Sequence, residues 1–414
     1  MRFSVTGYKC LSNRVEIDLG RINILWGPMG SGKSAILESF TIFHDIVGGR
    51  EVIGDDGRLR ETSLEHLRGL EINKLLVSRD KEKKLEMTLS KYQYELSISS
   101  IIYPAAAPLF DITVSLQGNV LASIDGLTFN IVKKIFDAVK SYLEHSKSEQ
   151  EILDYLPGDE SREFFKKFTE NMRKSPTLES FIKELVNRKI IYISYHRPSP
   201  KELGTKGTEK YTSYEWLSTG EHISTLITNL VLLRVSKSEE IKKLEECLKE
   251  LEVILNIPAI QIIEEEGRLS IEVDKRDLRV LSSGERSSIL LLLGAMQTPK
   301  EGFLIIEEPE IGLFIENFTK LLSKIIKILR EKGKEGPCMI MSTHSYIPLH
   351  TLRTLILTNE VKREEVTLHY ITREKENHEV RVTKIMLDEK GRPIFTPDVR
   401  DLLRECHVGH LERI

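Results

Sequence analysis

A glycine-rich segment near the amino terminus constrains the fold of this chain more than any other feature. Residues 27–34 read GPMGSGKS and match the phosphate-binding loop pattern G-x-x-x-x-G-K-[ST] at every fixed position. The apolar run 22–26 before the loop predicts a buried strand, and residues 35–40 after it predict a helix. A strand, a phosphate loop and a helix in this order predict an α/β fold.

The loop also predicts a ligand. The glycines allow backbone N–H groups to turn toward a polyphosphate, and the helix N-terminus adds its positive dipole end. Lys33 is expected to reach the β- and γ-phosphates of a nucleotide, and Ser34 is expected to hold Mg²⁺. The alternative, a glycine-rich turn that binds nothing, gives no structural reason for Lys33 and Ser34 to follow Gly32. The residues predicted to contact the nucleotide are Gly27, Gly30, Ser31, Gly32, Lys33 and Ser34.

Length and composition exclude several other classes of protein. A chain of 414 residues suffices for two or three domain-sized units or for one elaborated α/β unit. The longest apolar run, 289–296, is too short to cross a bilayer, and the amino terminus has no signal-peptide pattern, so we expect a cytoplasmic protein without a membrane partner. The net charge of −3 does not by itself indicate nucleic-acid binding. The four cysteines are scattered, which supports neither a zinc site nor a disulfide framework. Abundant Lys, Glu and Ile resemble the surface of a thermophile protein.

Hydrophobic periodicity divides the chain into regions of predicted strand and regions of predicted helix. Residues 1–26 and 84–124 alternate as strands do, and the second region predicts a meander. Between about 130 and 188 the apolar residues keep helical spacing, which predicts a helical insertion. Strand character returns at 190–193, and a second helical stretch is expected over 222–255.

An acidic strand end in the second half of the chain is the next candidate for chemistry. The apolar run 303–306 leads into Glu307 and Glu308, and a buried strand that delivers acids at its carboxyl end suits a magnesium–nucleotide site. Glu307 is expected to hold the water shell of Mg²⁺, and Glu308 to orient and deprotonate the attacking water. On this motif alone, a solvated acidic turn without chemistry remains an alternative.

A second apolar strand, 338–342, ends at Thr343 and His344. A histidine just beyond a buried strand would be able to touch the γ-phosphate or the attacking water. By itself the signal is weak, because a lone histidine at a strand end is more often structural.

The third motif is Leu281 to Glu285, with the sequence LSSGE, which precedes a strongly apolar helix over 288–296. Ser282 or Ser283 would cap that helix, and its free N–H groups would face an anion. The alternative is a plain helix cap. The position of the motif, shortly before the acidic strand, favours a role beside the acids.

The order of the four motifs resembles that of the ABC-type ATPases. A phosphate loop, an L-S-[SG]-G-[EQ] signature, an acidic strand end and a Thr-His strand end follow one another in that group. The long separation between Ser34 and Leu281 resembles the chromosome-maintenance branch with the SMC, RecF and OLD-like families, because transporter subunits keep these motifs closer together. The EEPE sequence of 307–310, the strand end at 191–197 and the hairpin at 388–393 are similar to the OLD and RecF-like members.

This resemblance implies a P-loop NTPase with an ABC-type head, a mixed β-sheet N-terminal lobe and a helical insertion. The implied division is an ATPase lobe with the phosphate loop at 1–126, the insertion at 127–188, and a lobe with signature, acidic strand and histidine at 189–414. The implied cofactors are ATP and Mg²⁺, with the metal held at Ser34 and Glu307. The implied catalytic residues are Lys33, Glu308 as general base and His344 as γ-phosphate sensor.

The resemblance also implies partners. Two heads would sandwich ATP in a homodimer, with Ser282, Ser283 and Gly284 of one head touching the γ-phosphate bound by the other. Such heads serve in DNA repair, chromosome maintenance or defence, so DNA or a separately encoded nuclease is a possible partner. The alternative from another class is an ATP-gated scaffold that controls such a partner with little turnover.

Several positions depart from the pattern of these families. Met29 replaces a common asparagine, Glu307 replaces the usual aspartate, and Phe314 stands where OLD-like proteins often carry histidine. A second LSTGE sequence at 217–221 is interpreted as a capping turn. No Q-loop glutamine can be assigned, and the roughly seventy residues after His344 are too few for a Toprim nuclease domain.

Overall fold

The computed structural model describes most of the chain in two compact units. The described residues are 1–50, 52–53, 58–59, 70, 72, 75–76, 83–102, 108–194, 239–265, 268–277, 281–333, 336–374, 376–395 and 397. The first unit takes its described residues from Met1–Gly20, Gly27–Lys189 and His369–Lys384, and the second from Arg21–Trp26, Ile190–Leu368 and Ile385–Ile414. The predicted boundaries at 126/127 and 188/189 follow the motifs rather than these contacts, and they stay predictions.

An antiparallel sheet of six strands organises the first unit, in the order β2-β1-β4-β5-β6-β7. Two tight turns set the register: Tyr92 and Gln93 have φ of 54° and 71°, and Gln117 and Gly118 have φ of 51° and 81°. Positive φ at both central residues suits the twist of a two-residue hairpin. The predicted meander is therefore present. The strands are β1 (Arg2–Thr6), β2 (Val15–Asp18), β4 (Lys83–Lys91), β5 (Tyr94–Ile102), β6 (Leu109–Leu116) and β7 (Asn119–Leu127).

Five described helices complete the first unit. The helix after the phosphate loop is buried along nearly its whole length, so it has no broad solvent-exposed face. The region predicted to be helical by its spacing folds as four amphipathic helices, two of which begin at serine N-caps, Ser148 and Ser175. The helices are α1 (Lys33–Val47), α2 (Phe129–Leu143), α3 (Glu149–Tyr155), α4 (Gly158–Lys174) and α5 (Pro176–Asn187).

A seven-stranded sheet has the order β16-β15-β14-β3-β13-β12-β8. Its strands β3, β13, β12 and β8 belong to the second unit, whereas β14 and β15 take residues from both units. Strands β8, β12, β13 and β3 run parallel to one another. Three of these four are buried at every residue, and so is β13 except at Cys338, which explains their continuous apolar sequences. The strands are β3 (Ile22–Trp26), β8 (Ile190–Ile193), β12 (Phe303–Glu307), β13 (Cys338–Thr343), β14 (Val366–Arg373), β15 (Val380–Leu387) and β16 (Pro393–Ile394).

The register of the parallel strands positions the site. Glu307 of β12 pairs with Ser342 of β13, and Thr343 pairs with Trp26 of β3. All three strands thus end at one edge of the sheet, and ligands of α/β proteins bind beyond this carboxyl edge. The phosphate loop follows β3 directly in the chain.

Helices and a small sheet complete the second unit. The predicted helical stretch over 222–255 is described only from Glu239 onward, and the second LSTGE sequence and the segment 195–197 lie outside the described residues. No helix in the described ranges is long and apolar enough to cross a membrane. The remaining elements are α6 (Glu239–Leu255), α7 (Ser283–Gln297), α8 (Ile315–Glu331), α9 (Ile347–Leu357), a 3₁₀ turn (Arg363–Glu365), and strands β9 (Ile260–Glu265), β10 (Arg268–Val273) and β11 (Arg276–Asp277).

Candidate functional site

The phosphate loop adopts a backbone that only glycine accommodates at its key positions. A Cβ atom added to Gly27 would lie 2.0 Å from the carbonyl oxygen of Ile371, a backbone atom that no rotamer change can move. Gly32 has φ of 103° and is the N-cap residue of α1. Left-handed backbone at this position favours glycine because it lacks a Cβ. The loop is therefore shaped by its glycines before any ligand is considered.

Polar groups of the loop point to a phosphate ligand. The Lys33 ammonium donates hydrogen bonds of 2.8 Å to the carbonyl oxygens of both Gly27 and Pro28, so it lies inside the turn. The hydroxyl of Ser31 is buried and has no hydrogen-bond partner in the described part of the chain. A buried polar atom of this kind is uncommon and calls for an explanation. A phosphate oxygen would accept from it. Ser34 is exposed in the first turn of α1.

The first predicted carboxylate is buried at the end of its strand. Glu307 is the last residue of β12 and is 5 % exposed. The Ser194 hydroxyl donates to Glu307 Oε2 at 3.3 Å, from the residue that follows β8. The carboxylate is thus oriented from a neighbouring parallel strand, which suits a group that holds the water shell of a metal.

The predicted general base and the predicted sensor are in direct contact. Glu308 Oε2 and His344 Nδ1 are 2.6 Å apart, with the glutamate side chain 13 % and the histidine side chain 43 % exposed. Glu308 has φ of 46°, in the left-handed region that non-glycine residues rarely adopt, and its N–H donates to the Ser342 carbonyl at 2.8 Å. Backbone strain of this kind concentrates at functional positions. The turn therefore aims the Glu308 side chain at His344.

The signature segment begins a helix in the manner expected. Ser282 is the N-cap of α7: its hydroxyl accepts from the Glu285 N–H at 3.3 Å, and the Glu285 carboxylate accepts from the Ser282 N–H at 2.7 Å. This is a capping box. Ser282 and Ser283 are exposed, whereas Gly284 is buried. The predicted cap is therefore present, and both serine side chains remain accessible to solvent.

No group of three or more His, Cys, Asp or Glu side chains within the described ranges is arranged to hold a metal ion. Mg²⁺ is usually bound by one or two protein carboxylates together with phosphates and water. The two predicted metal ligands, the exposed Ser34 hydroxyl and the oriented Glu307 carboxylate, are of the oxygen type that Mg²⁺ prefers.

Comparison with known proteins identifies the class of chain. Residues 1–347 match the family model described as AAA ATPase domain. The chain belongs to the AAA ATPase domain family. This match confirms the predicted P-loop ATPase class. No curated protein matches the sequence.

Three solved structures are similar to this AAA ATPase domain at low sequence identity. The SMC head domain from Thermotoga maritima is 15% identical, with a TM-score of 0.39, over 93% of this chain and 98% of that chain. The recombination mediator protein RecF of the RecFOR pathway, solved as RecF-ATPrS, is 13% identical, with a TM-score of 0.35, over 89% and 95%. Its RecF-ATP form is 15% identical, with a TM-score of 0.33, over 83% and 91%.

Sequence reasoning assigned no role to two further polar residues of this ATPase domain. Glu310 is 6 % exposed, and the fully buried Thr343 donates a hydrogen bond to its Oε1. Burial raises the pKa of the Glu310 carboxyl to about 7, and the negative charge of Glu308 acts in the same direction. The signal in the sequence was a third acid after the proline of the EEPE motif. Its partner on the next strand was not visible, because the register of β12 with β13 decides the contact.

The signature helix packs closely on the turn that carries the acids. A Cβ atom added to Gly284 would lie 2.1 Å from the carbonyl oxygen of Gly312. The carbonyl oxygen belongs to the backbone, and the position of a Cβ atom is fixed by the backbone that carries it, so no side-chain rotation relieves the clash. Glycine at position 284 is therefore required by packing within the second unit.

Replacing Gly284 with alanine is expected to destabilise the protein by about 1–3 kcal/mol, the usual cost of overpacking. Denaturant unfolding of the purified protein measures this change. The matched control is Ser283→Ala, because Ser283 is exposed one residue earlier in the same helix turn. Equal unfolding free energies for the two variants would contradict the close approach at Gly312.

Proposed function

We propose that this AAA ATPase domain hydrolyses ATP as a cytoplasmic, ATP-dependent head-to-head dimer that acts in DNA repair, chromosome maintenance or defence. The observation that carries the proposal is the 2.6 Å contact between Glu308 and His344 at the ends of two adjacent parallel strands. A carboxylate beside an imidazole is a suitable pair for activating water. The complete phosphate loop of the same chain would bind the nucleotide.

Each residue has a distinct task in the proposed reaction. Lys33 exchanges its two carbonyl partners for phosphate oxygens, and the Ser31 hydroxyl donates to the polyphosphate. Glu308 orients the attacking water and accepts its proton, and His344 contacts the γ-phosphate. Ser34 and Glu307 would hold Mg²⁺, which would neutralise charge that develops on the phosphates. That the phosphate loop and the Glu308–His344 pair act on the same nucleotide is inferred from the order of the motifs and from the family.

The dimer is supported by the accessibility of the signature. Ser282 and Ser283 are exposed at the N-terminus of α7, and the N-terminal end of a helix favours an anion through its dipole. In the proposed dimer, these residues and Gly284 face the γ-phosphate held by the other copy. The role in DNA metabolism or defence, with DNA or a separate nuclease as partner, rests on the resemblance of the motif set.

The experiment that tests this function measures phosphate release from ATP by the purified protein. We expect steady-state release with Mg²⁺ and its loss when EDTA removes the metal. Sizing with ATP and with ADP is expected to show a dimer only with ATP, and parallel runs with DNA report any change in rate. ATP binding without measurable release would overturn hydrolysis and favour an ATP-gated scaffold, and a monomer under all conditions would overturn the dimer.

A further inference from the structure

Two turns at the carboxyl edge of the parallel sheet are tied together twice. The acidic turn (residues 308–313) follows β12, and the histidine turn (residues 343–346) includes the end of β13. At the surface they meet through Glu308 and His344. Beneath that contact, the Thr343 hydroxyl donates to Glu310. The Thr343–Glu310 hydrogen bond is buried, so it lies below the Glu308–His344 pair that is proposed to carry out the chemistry.

The Thr343 hydroxyl also shapes the histidine turn itself. Its Oγ1 accepts a hydrogen bond of 2.9 Å from the N–H of Ser345, the residue after His344. The Ser345 hydroxyl in turn accepts from the N–H of Ile347 at 3.1 Å, where α9 begins. His344 is thus enclosed between two residues held by one hydroxyl group, and that group is anchored on Glu310.

Folding stability alone gives no reason for a carboxyl group at the buried position of Glu310. Glu310 Oε2 is buried and has no hydrogen-bond partner among the described residues. An unpaired buried polar atom lowers the stability of the folded state, because it loses its hydrogen bonds to water without replacing them. An apolar side chain of similar volume would avoid this cost. Groups of this kind persist where a function depends on them.

We propose that Glu310 and Thr343 form a positioning pair that sets the geometry between the Glu308 carboxylate and the His344 imidazole, and thereby the rate of ATP hydrolysis. Glu310 touches neither water nor nucleotide in this role. It acts through Thr343, which holds the backbone on both sides of His344. The inference rests on the proposed ATPase function and assigns a further determinant of its catalytic step.

The experiment compares kcat, KM and ATP affinity of wild type with those of Thr343→Val and Glu310→Ala. Misplacement of a catalytic group by about 1 Å costs up to about 100-fold in rate, so we expect kcat to fall about 10- to 100-fold in each variant. KM and ATP affinity are expected to remain near wild type. The double variant is expected to lose no more than either single one, because both break the same tie.

Conservative variants and a matched control separate positioning from a loss of folding. Thr343→Ser keeps the hydroxyl and Glu310→Gln keeps an acceptor, so both are expected to retain most of kcat. Thr351→Val is the control: Thr351 is as buried as Thr343, and its hydroxyl bonds a side chain, Thr319 Oγ1, at 3.1 Å. It is expected to lose stability in thermal unfolding and to keep kcat.

Four results overturn the inference. These are a wild-type kcat in Thr343→Val, a loss in Thr343→Ser as large as in Thr343→Val, additive losses in the double variant, or a fall of kcat in Thr351→Val equal to that in Thr343→Val. In each case the wild-type protein still turns over ATP and the proposed function stands. Absence of turnover in the wild type overturns the proposed hydrolysis and this inference together.

Discussion

Replacement of Glu308 with glutamine is expected to lower the rate of ATP hydrolysis by about 10²- to 10⁴-fold, the usual contribution of a general base. The amide has nearly the same shape as the carboxylate but cannot accept a proton from the attacking water. Because Glu308 belongs to the acidic turn rather than to the phosphate loop, ATP affinity is expected to remain close to wild type. The loss should therefore appear in kcat and not in KM.

The measurement is steady-state phosphate release together with equilibrium binding of ATP. Glu316→Gln is a matched control, because Glu316 is an exposed glutamate in the first turn of α8, close in sequence but outside the motifs. It is expected to hydrolyse ATP as the wild type does. If the proposed dimer forms, Glu308→Gln should also accumulate it in the presence of ATP. An unchanged kcat in Glu308→Gln would remove Glu308 from the role of base.

Local patterns in the sequence were sufficient to locate the motifs. The apolar runs before Gly27, Glu307 and Thr343 predicted three buried strands, and all three are present as parallel neighbours. The LSSGE segment predicted a helix cap, and Ser282 provides it. These features depend on residues that are close in sequence. Propensity and periodicity therefore determine them before tertiary contacts do.

The contacts that complete the motifs depend on the register between distant strands and could not be predicted. Ser194 meets Glu307 because β8 and β12 pair in parallel, and Thr343 meets Glu310 because β13 lies on the other side of β12. The replacement of the usual aspartate by Glu307 appeared as a departure in the sequence. In the structure the longer side chain reaches the Ser194 hydroxyl at 3.3 Å. A one-residue slip in either pairing would remove these contacts.

The close approaches of glycines were also hidden in the sequence. Gly27 and Gly284 read as ordinary fixed positions of their motifs. The requirement for glycine at these two positions comes from the carbonyl oxygens of Ile371 and Gly312, which are far away in the chain. The motifs thus mark these glycines as fixed positions, and the tertiary fold gives the steric reason that glycine is required there.

Removal of the Lys33 side chain is expected to weaken ATP binding strongly. Hydrogen bonds to charged groups contribute about 1.5–3 kcal/mol, so Lys33→Ala should raise the Kd for ATP by about 10- to 150-fold. The ammonium lies within the loop at 2.8 Å from two carbonyl oxygens, and phosphate oxygens are expected to replace these as its acceptors. The effect should be larger for ATP than for AMP, because the β- and γ-phosphates are its expected partners.

Titration of the purified variants with ATP, ADP and AMP measures this difference. Lys166→Ala serves as the control, since Lys166 is an exposed lysine on α4 outside every motif, and its nucleotide affinities should equal those of wild type. Ser31→Ala removes the buried hydroxyl that has no partner in the described part of the chain, and a smaller loss of affinity is expected from one neutral donor. If Lys33→Ala binds ATP and AMP with unchanged affinities, the loop is a structural turn. The nucleotide that reacts at Glu308 and His344 would then have to be bound by residues outside the phosphate loop.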